Sequence, residues 1–295
     1  MSDQATELRK LVLQSTREQS QTSGFSPRLV VMSGGKDGVG VTTLSLQLAT
    51  ALAEQGSRVV LVDADAHRAD IATLCGLPEN RGAVDTLTSH SNIHEVLMRG
   101  PAGILVAPGL WTPGKETTFS ETSQLRLLKQ FRNLGRHADI VLLDVGSGTS
   151  DMIRRFWRAA DQVVVITTPD AVGVMDCYAT IKTVLDGDTH GALSLVINRE
   201  SDGEAAADVH HRIDQSCRRF LGLSIGLLGN VPDNTSLRPA FARWEASNGW
   251  SFAPSQQAAA RIAANLLSEA FSPAVIPLAR IDRDMVEITE NRRAA

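Results

Sequence analysis

The chain has little cysteine, no excess of positive charge and no long apolar run, and each shortage excludes a class of protein. Cys75, Cys177 and Cys217 are its three cysteines, far apart and without a C-x-x-C pair. A disulfide framework and a structural zinc site are therefore excluded, and buried free thiols in a reducing compartment are expected. Against 33 Asp and Glu stand 29 Lys and Arg, a net charge of −4, so no global basic field draws the protein to nucleic acid or to an anionic membrane. DNA is not an expected partner. No stretch approaches the ~18 consecutive apolar residues of a membrane span, and the polar N-terminus has no apolar signal core. A membrane anchor is not evident, and the expected location is cytoplasmic, at most peripheral at the inner membrane or cell pole.

What is present is a rhythm of short apolar runs closed by turn residues: RLVVMSGG, SRVVLVDAD, AGILVAPG, ADIVLLDVG, QVVVITTP, LSLVIN and IGLLGNVP. Runs of this length without polar alternation fit strands buried on both faces. Helical spacing separates most of them, as in Leu44, Leu48, Ala51 and Leu52, or Leu125, Leu127, Leu128 and Phe131. Strand alternating with helix predicts an α/β fold, a doubly wound and mainly parallel sheet with helices on both faces. One domain is expected over residues 27–271. Residues 1–26 read as an amphipathic helix carrying Leu8, Leu11, Val12 and Leu13 on a Ser/Gly/Pro linker, and residues 272–295 as a polar tail.

Between the first run and the first helical stretch lies GGKDGVGVTT, residues 34–43. A glycine-rich turn from strand to helix exposes successive N–H groups at the positive end of the helix dipole and binds phosphate through the backbone. Gly35, Gly40 and Thr42 satisfy the spacing G-x-x-x-x-G-K-[ST], but Val41 occupies the lysine position and withdraws a charge from the phosphates. A glycine turn with no ligand competes with the phosphate reading. Two further runs end in carboxylates: Asp63 and Asp65 in VVLVDAD, and Asp144 in IVLLDVGSG. Ligands of parallel sheets sit at the carboxyl ends of strands, so these acids should converge beside the loop, where magnesium and an attacking water are needed. Each alone reads equally well as a turn or capping aspartate. His190, His210 and His211 have no ligand spacing and read as surface residues. His67 and Arg68 read as solvated.

These residues resemble the MinD/ParA family of deviant Walker P-loop NTPases, whose loop is K-G-G-x-G-K-[TS]. Lys36 falls on the family's signature lysine, Asp37 replaces its first glycine and Val41 its second lysine. Within that family, the opening DQATELR, Asp3 to Arg9, together with LLDVGSGTSD, ITTPDAVGVMDCYATIK and LGNVPDN, is similar to the flagellar-number regulators of the FlhG (FleN, YlxH) branch. The resemblance implies a nucleotide-dependent homodimer that binds ATP or ADP with Mg²⁺ and signals through its dimer state. It implies catalytic roles for Lys36, reaching the partner's phosphates, and for Asp65, ordering water. Nucleotide would lie along Gly35, Lys36, Asp37, Gly38, Val39, Gly40, Val41, Thr42 and Thr43, with adenine near Asn198 and Pro232. Thr42, Asp63 and Asp144 would hold the metal. Protein partners, flagellar ones among them, would engage residues 3–13.

Two departures bear on turnover. Val41 removes a cation and Asp37 adds an anion where the β- and γ-phosphates would lie, so weak or absent hydrolysis is expected; an ion pair between Asp37 and Lys36 would neutralise both. Loss of the loop lysine also occurs in the CpaE/TadZ pilus-localisation branch, which makes a non-catalytic scaffold the alternative. A ParA-type DNA-partitioning ATPase is the third reading; it wants a basic surface, which a net charge of −4 does not suggest.

Overall fold

The structure is a computed structural model that describes residues 26–65, 68, 70–78, 92–109, 120–185, 192–233 and 253–268. The segment 3–13 and the tail 272–295 lie outside the described residues, as do His67 and His190. Described elements run β1 (Arg28–Gly34), α1 (Val41–Glu54), β2 (Val59–Asp63), α2 (Ile71–Leu74), β3 (Met98–Arg99), β4 (Leu105–Ala107) and α3 (Glu121–Arg132). There follow β5 (Ile140–Ser147), α4 (Asp151–Ala159), β6 (Gln162–Thr167), α5 (Ala171–Leu185), β7 (Ala192–Asn198), α6 (Gly203–Leu221), β8 (Gly226–Val231) and α7 (Ala253–Ser268).

The strands form one sheet in the order β3-β4-β2-β5-β1-β6-β7-β8. Every pairing is parallel except β3 with β4, where Met98 faces Val106. All seven apolar runs are strands, and the two-residue edge strand β3 is the addition. β1 is central: the chain builds β2 to β5 on one side of it and β6 to β8 on the other. Reversal of strand order opens a crevice at the carboxyl end of β1, where the glycine turn lies.

Pleating divides β1 between two cores. Leu29 and Val31 pack with α3, α4, α5 and α6 on one face; Val30 and Met32 pack with α1 and α7 on the other. Leu44, Leu48, Ala51 and Leu52 of α1, and Leu125, Leu127, Leu128 and Phe131 of α3, are buried at the spacing read from the sequence. The amino ends of the central strands are tied by ions. Arg132 bonds Asp161 at 2.6 Å, and Asp161 in turn accepts the Leu29 N–H at 2.7 Å. All three cysteines are free and buried. His210 departs from the surface reading: it is partly buried, its Nε2 2.7 Å from the Ile225 carbonyl.

Candidate functional site

The turn from β1 into α1 is fixed by close approach. A Cβ on Gly35 would stand 2.6 Å from the Cys177 nitrogen on α5 and 2.7 Å from its Cα, so only glycine lets the loop cross that helix. The Thr180 hydroxyl on the same helix donates to the Gly35 carbonyl at 3.1 Å. Gly38 and Gly40 take φ of 77° and 96°, left-handed conformations that glycine adopts freely. Gly40 caps α1 without a side-chain bond, which leaves the helix amino terminus presenting bare N–H groups.

Val41 points inward. It is buried with Val39, Met32 and Leu44, and a Cβ on Gly34 would meet its Cγ2 at 2.7 Å. The position that would carry a cation therefore serves the hydrophobic core. The ion pair between Lys36 and Asp37 that the sequence allows is not formed: Lys36 Nζ bonds Asp170 Oδ1 at 2.9 Å, and Asp37 accepts a hydrogen bond from the Ser147 hydroxyl. Asp170 closes the turn after β6, and the Gly173 N–H donates to it at 2.9 Å. The Thr168 hydroxyl and then Lys36 hold its carboxyl below the usual range.

Asp63 ends β2 and faces Asp144 in direct register on the adjacent β5, which runs on past Asp144 to Ser147 instead of ending there, and both acids are fully buried. Burial, then the neighbouring Asp144 charge, raises Asp63 well above the usual carboxylate range. Burial pushes Asp144 up to about 7, against the opposing influence of the Thr42 hydroxyl and the Gly146 N–H. One oxygen of each is satisfied, Asp63 Oδ2 by the Ile71 N–H at 3.1 Å and Asp144 Oδ1 by the Gly146 N–H at 3.1 Å. The others, Asp63 Oδ1 and Asp144 Oδ2, have no partner. Thr42 lowers the proton affinity of Asp144 without closing a hydrogen bond of good geometry. Two orphaned carboxylate oxygens beside a threonine are the hard oxygen donors that suit Mg²⁺, an ion that takes one or two carboxylates and keeps several waters. Among the described residues no group of three His, Cys, Asp or Glu stands together as a metal cage; what the site offers is two carboxylates and a hydroxyl.

Asp65 lies against the carboxyl end of β5: a Cβ on Gly146 would run into its carboxyl group. Its Oδ1 accepts the Arg68 N–H at 3.2 Å, while Arg68 itself is exposed and pairs with Asp70 at 3.5 Å. Thr43 is half-buried on the first turn of α1, and Pro232 is half-buried just beyond β8. Asn198 is engaged by the loop itself, with Nδ2 donating to the Val39 carbonyl at 2.6 Å. Asp170, Ser147 and Arg199 complete the surroundings and were not singled out by spacing. Asp170 carried a signal of a similar kind, an acid that follows the apolar run QVVVITTP.

A glycine turn between a central strand and a helix, with acids towards the carboxyl ends of nearby strands, defines a P-loop NTPase. Residues 26–201 match the ParA family, described as NUBPL iron-transfer P-loop NTPase, and the chain belongs to the ParA/MinD family of P-loop NTPases. It is 28% identical to the antiactivator FleN of Pseudomonas aeruginosa over 221 residues, 74% of this chain and 78% of that protein. It is 24% identical to the flagellum site-determining protein YlxH of Helicobacter pylori, over 82% of each chain. The structure superposes on the septum site-determining protein MinD of Pyrococcus horikoshii, complexed with Mg-ADP. The TM-score is 0.65 at 20% identity, over 85% of this chain and 100% of that one. Among the described residues no helix is long and apolar enough to cross a membrane.

Proposed function

We infer that the chain is a nucleotide-dependent regulator of flagellar number or placement, one that binds ATP and ADP and turns ATP over slowly or not at all. The observation that carries this reading is the loop: its turn is held by glycine and by backbone contacts, while its lysine position is committed to the core. Phosphate binding by N–H groups is thereby separated from the charge that speeds phosphoryl transfer. The flagellar assignment is supported by the likeness to FleN and YlxH.

In this reading Gly35 to Thr43 receive the phosphates, and Thr42, Asp63 and Asp144 hold Mg²⁺. The ion would neutralise phosphate charge and favour the ionised carboxylates. Asp65, beside Gly146 of β5, would order water, and Asn198 and Pro232 would border the base. Lys36 would have to leave Asp170 to reach a second chain. That exchange of one intrachain ion pair for an interchain contact gives the dimer a switch whose two states differ in contacts. Residues 3–13 are assigned to partner recognition, with flagellar proteins as the partners.

Val41 and Asp37 favour a second reading, a CpaE/TadZ-like localisation scaffold that has lost nucleotide. Calorimetry with Mg-ATP and Mg-ADP at millimolar concentration separates the two. Measurable heat with little phosphate release supports the switch. A flat titration assigns the chain to the scaffolds.

A further inference from the structure

Among the described residues two that are not glycine adopt positive φ, and one of them is Arg199, at 62°. Arginine is strained in this left-handed conformation, and such strain persists only where the surroundings over-determine it. Here they do. The Arg199 N–H donates to Asn198 Oδ1 at 2.9 Å, the next N–H, of Glu200, to the Val231 carbonyl at 2.9 Å, and Asn230 Nδ2 to the Glu200 carbonyl at 2.8 Å. The strained backbone delivers a charge to the glycine loop: Arg199 Nη2 donates to the Gly38 carbonyl at 2.7 Å, one residue before the carbonyl that Asn198 holds. Two successive residues of the β7 turn thus grip two successive peptides of the loop.

The charges nearby give this contact its meaning. Position 41 is apolar and buried, Lys36 is engaged with Asp170, and Asp37 brings a carboxylate to the rim. Resting on the reading of this loop as a phosphate site, we propose that Arg199 is the cation that replaces the missing loop lysine for a bound nucleoside diphosphate or triphosphate. Its guanidinium sits on the carbonyl of the Gly38–Val39 peptide, the same peptide unit that carries the Val39 N–H. A donor on the carbonyl polarises that peptide and strengthens its N–H towards an anion, while the unit charge attracts phosphate from behind the loop. A charge ~6 Å away in a half-screened site changes anion affinity by about tenfold. Arg199 is a positioning and charge-supplying residue, with no role in breaking bonds.

The test compares the full-length chain with Arg199→Lys, Arg199→Gln and Arg199→Gly, each titrated with Mg-ADP and, in parallel, with pyrophosphate, at low and high salt. Lysine should stay within about threefold of the parent. Glutamine should weaken binding about tenfold and flatten the salt dependence. Glycine should bind as weakly as glutamine yet melt at or above the parental temperature, because φ of 62° suits it; a purely structural clamp would lose stability instead. Parental affinity in the glutamine and glycine variants overturns the proposal, as does equal loss in all three variants with unchanged salt dependence. If pyrophosphate binds in an Arg199-dependent way while Mg-ADP does not bind, the cation stands and the nucleotide reading falls. If neither binds the parent, both fall.

Discussion

Asp144→Asn should stabilise the ligand-free protein at pH 8 while removing its response to Mg²⁺. The Asp144 carboxylate is wholly buried and is pushed from 3.8 up to about 7, burial being the main cause and the Asp65 and Asp70 charges adding to it. A shift of that size corresponds to roughly 4 kcal/mol of disfavoured ionisation, an upper bound because the folded site can relax. The sign runs opposite to that of a salt-bridged aspartate. Between pH 3.8 and about 7 the folded chain holds a proton that the unfolded chain has released, so stability falls as pH rises through that window, and above it the loss is complete. Asp63 is raised in the same direction, with Asp144 as one of its causes, so the pair titrates as a unit and the variant retains part of the slope. Asparagine keeps an oxygen for the Gly146 N–H and cannot ionise. Thermal melts in EDTA from pH 5 to 8 should show the parent losing stability and the variant losing less, with the variant about 4–8 °C above the parent at pH 8 for a gain of about 2 kcal/mol. Mg-ADP should then raise the melting temperature of the parent alone. Parallel pH slopes, or a variant less stable than the parent at pH 8, would refute the account.

Gly35→Ala and Gly38→Ala test two different demands for glycine. The first forces a Cβ into the backbone of α5 at Cys177 and should cost about 1–3 kcal/mol in denaturant melts. The second opens onto free space at φ of 77° and should cost only about 1 kcal/mol, the strain of the left-handed conformation. Arg132→Ala leaves the part-buried Asp161 carboxylate without its ion partner. A loss of about 3 kcal/mol is expected, read as a fall of about 6–12 °C in melting temperature; a fall under 2 °C would mean that water replaces the guanidinium.

The fold was legible in the sequence wherever burial was two-sided. Strands such as Val59–Asp63 and Gln162–Thr167 are buried at every position, so they appear as unbroken apolar runs. β3 is two residues at an edge, one of them exposed, and leaves no pattern to read. The carboxylate pair was legible for a related reason, since an acid that closes an apolar run lies at or near the carboxyl end of a strand: Asp63 ends β2, while β5 runs on to Ser147. What spacing could not supply is who holds whom. Lys36 and Asp170 are 134 residues apart, Ser147 and Asp37 110, Arg199 and Gly38 161, and these contacts exist only because β5 and β6 flank β1 and β7 lies beyond β6. The loop shows the limit most clearly. Its composition announces a missing lysine, but not that Val41 would turn into the core against Gly34 and beside Val39. That burial matters because the turn is shaped by glycine contacts and apolar packing, neither of which needs a lysine. A loop built this way keeps its row of N–H groups after the charge is gone, and a cation from another strand can then serve it without the loop being rebuilt.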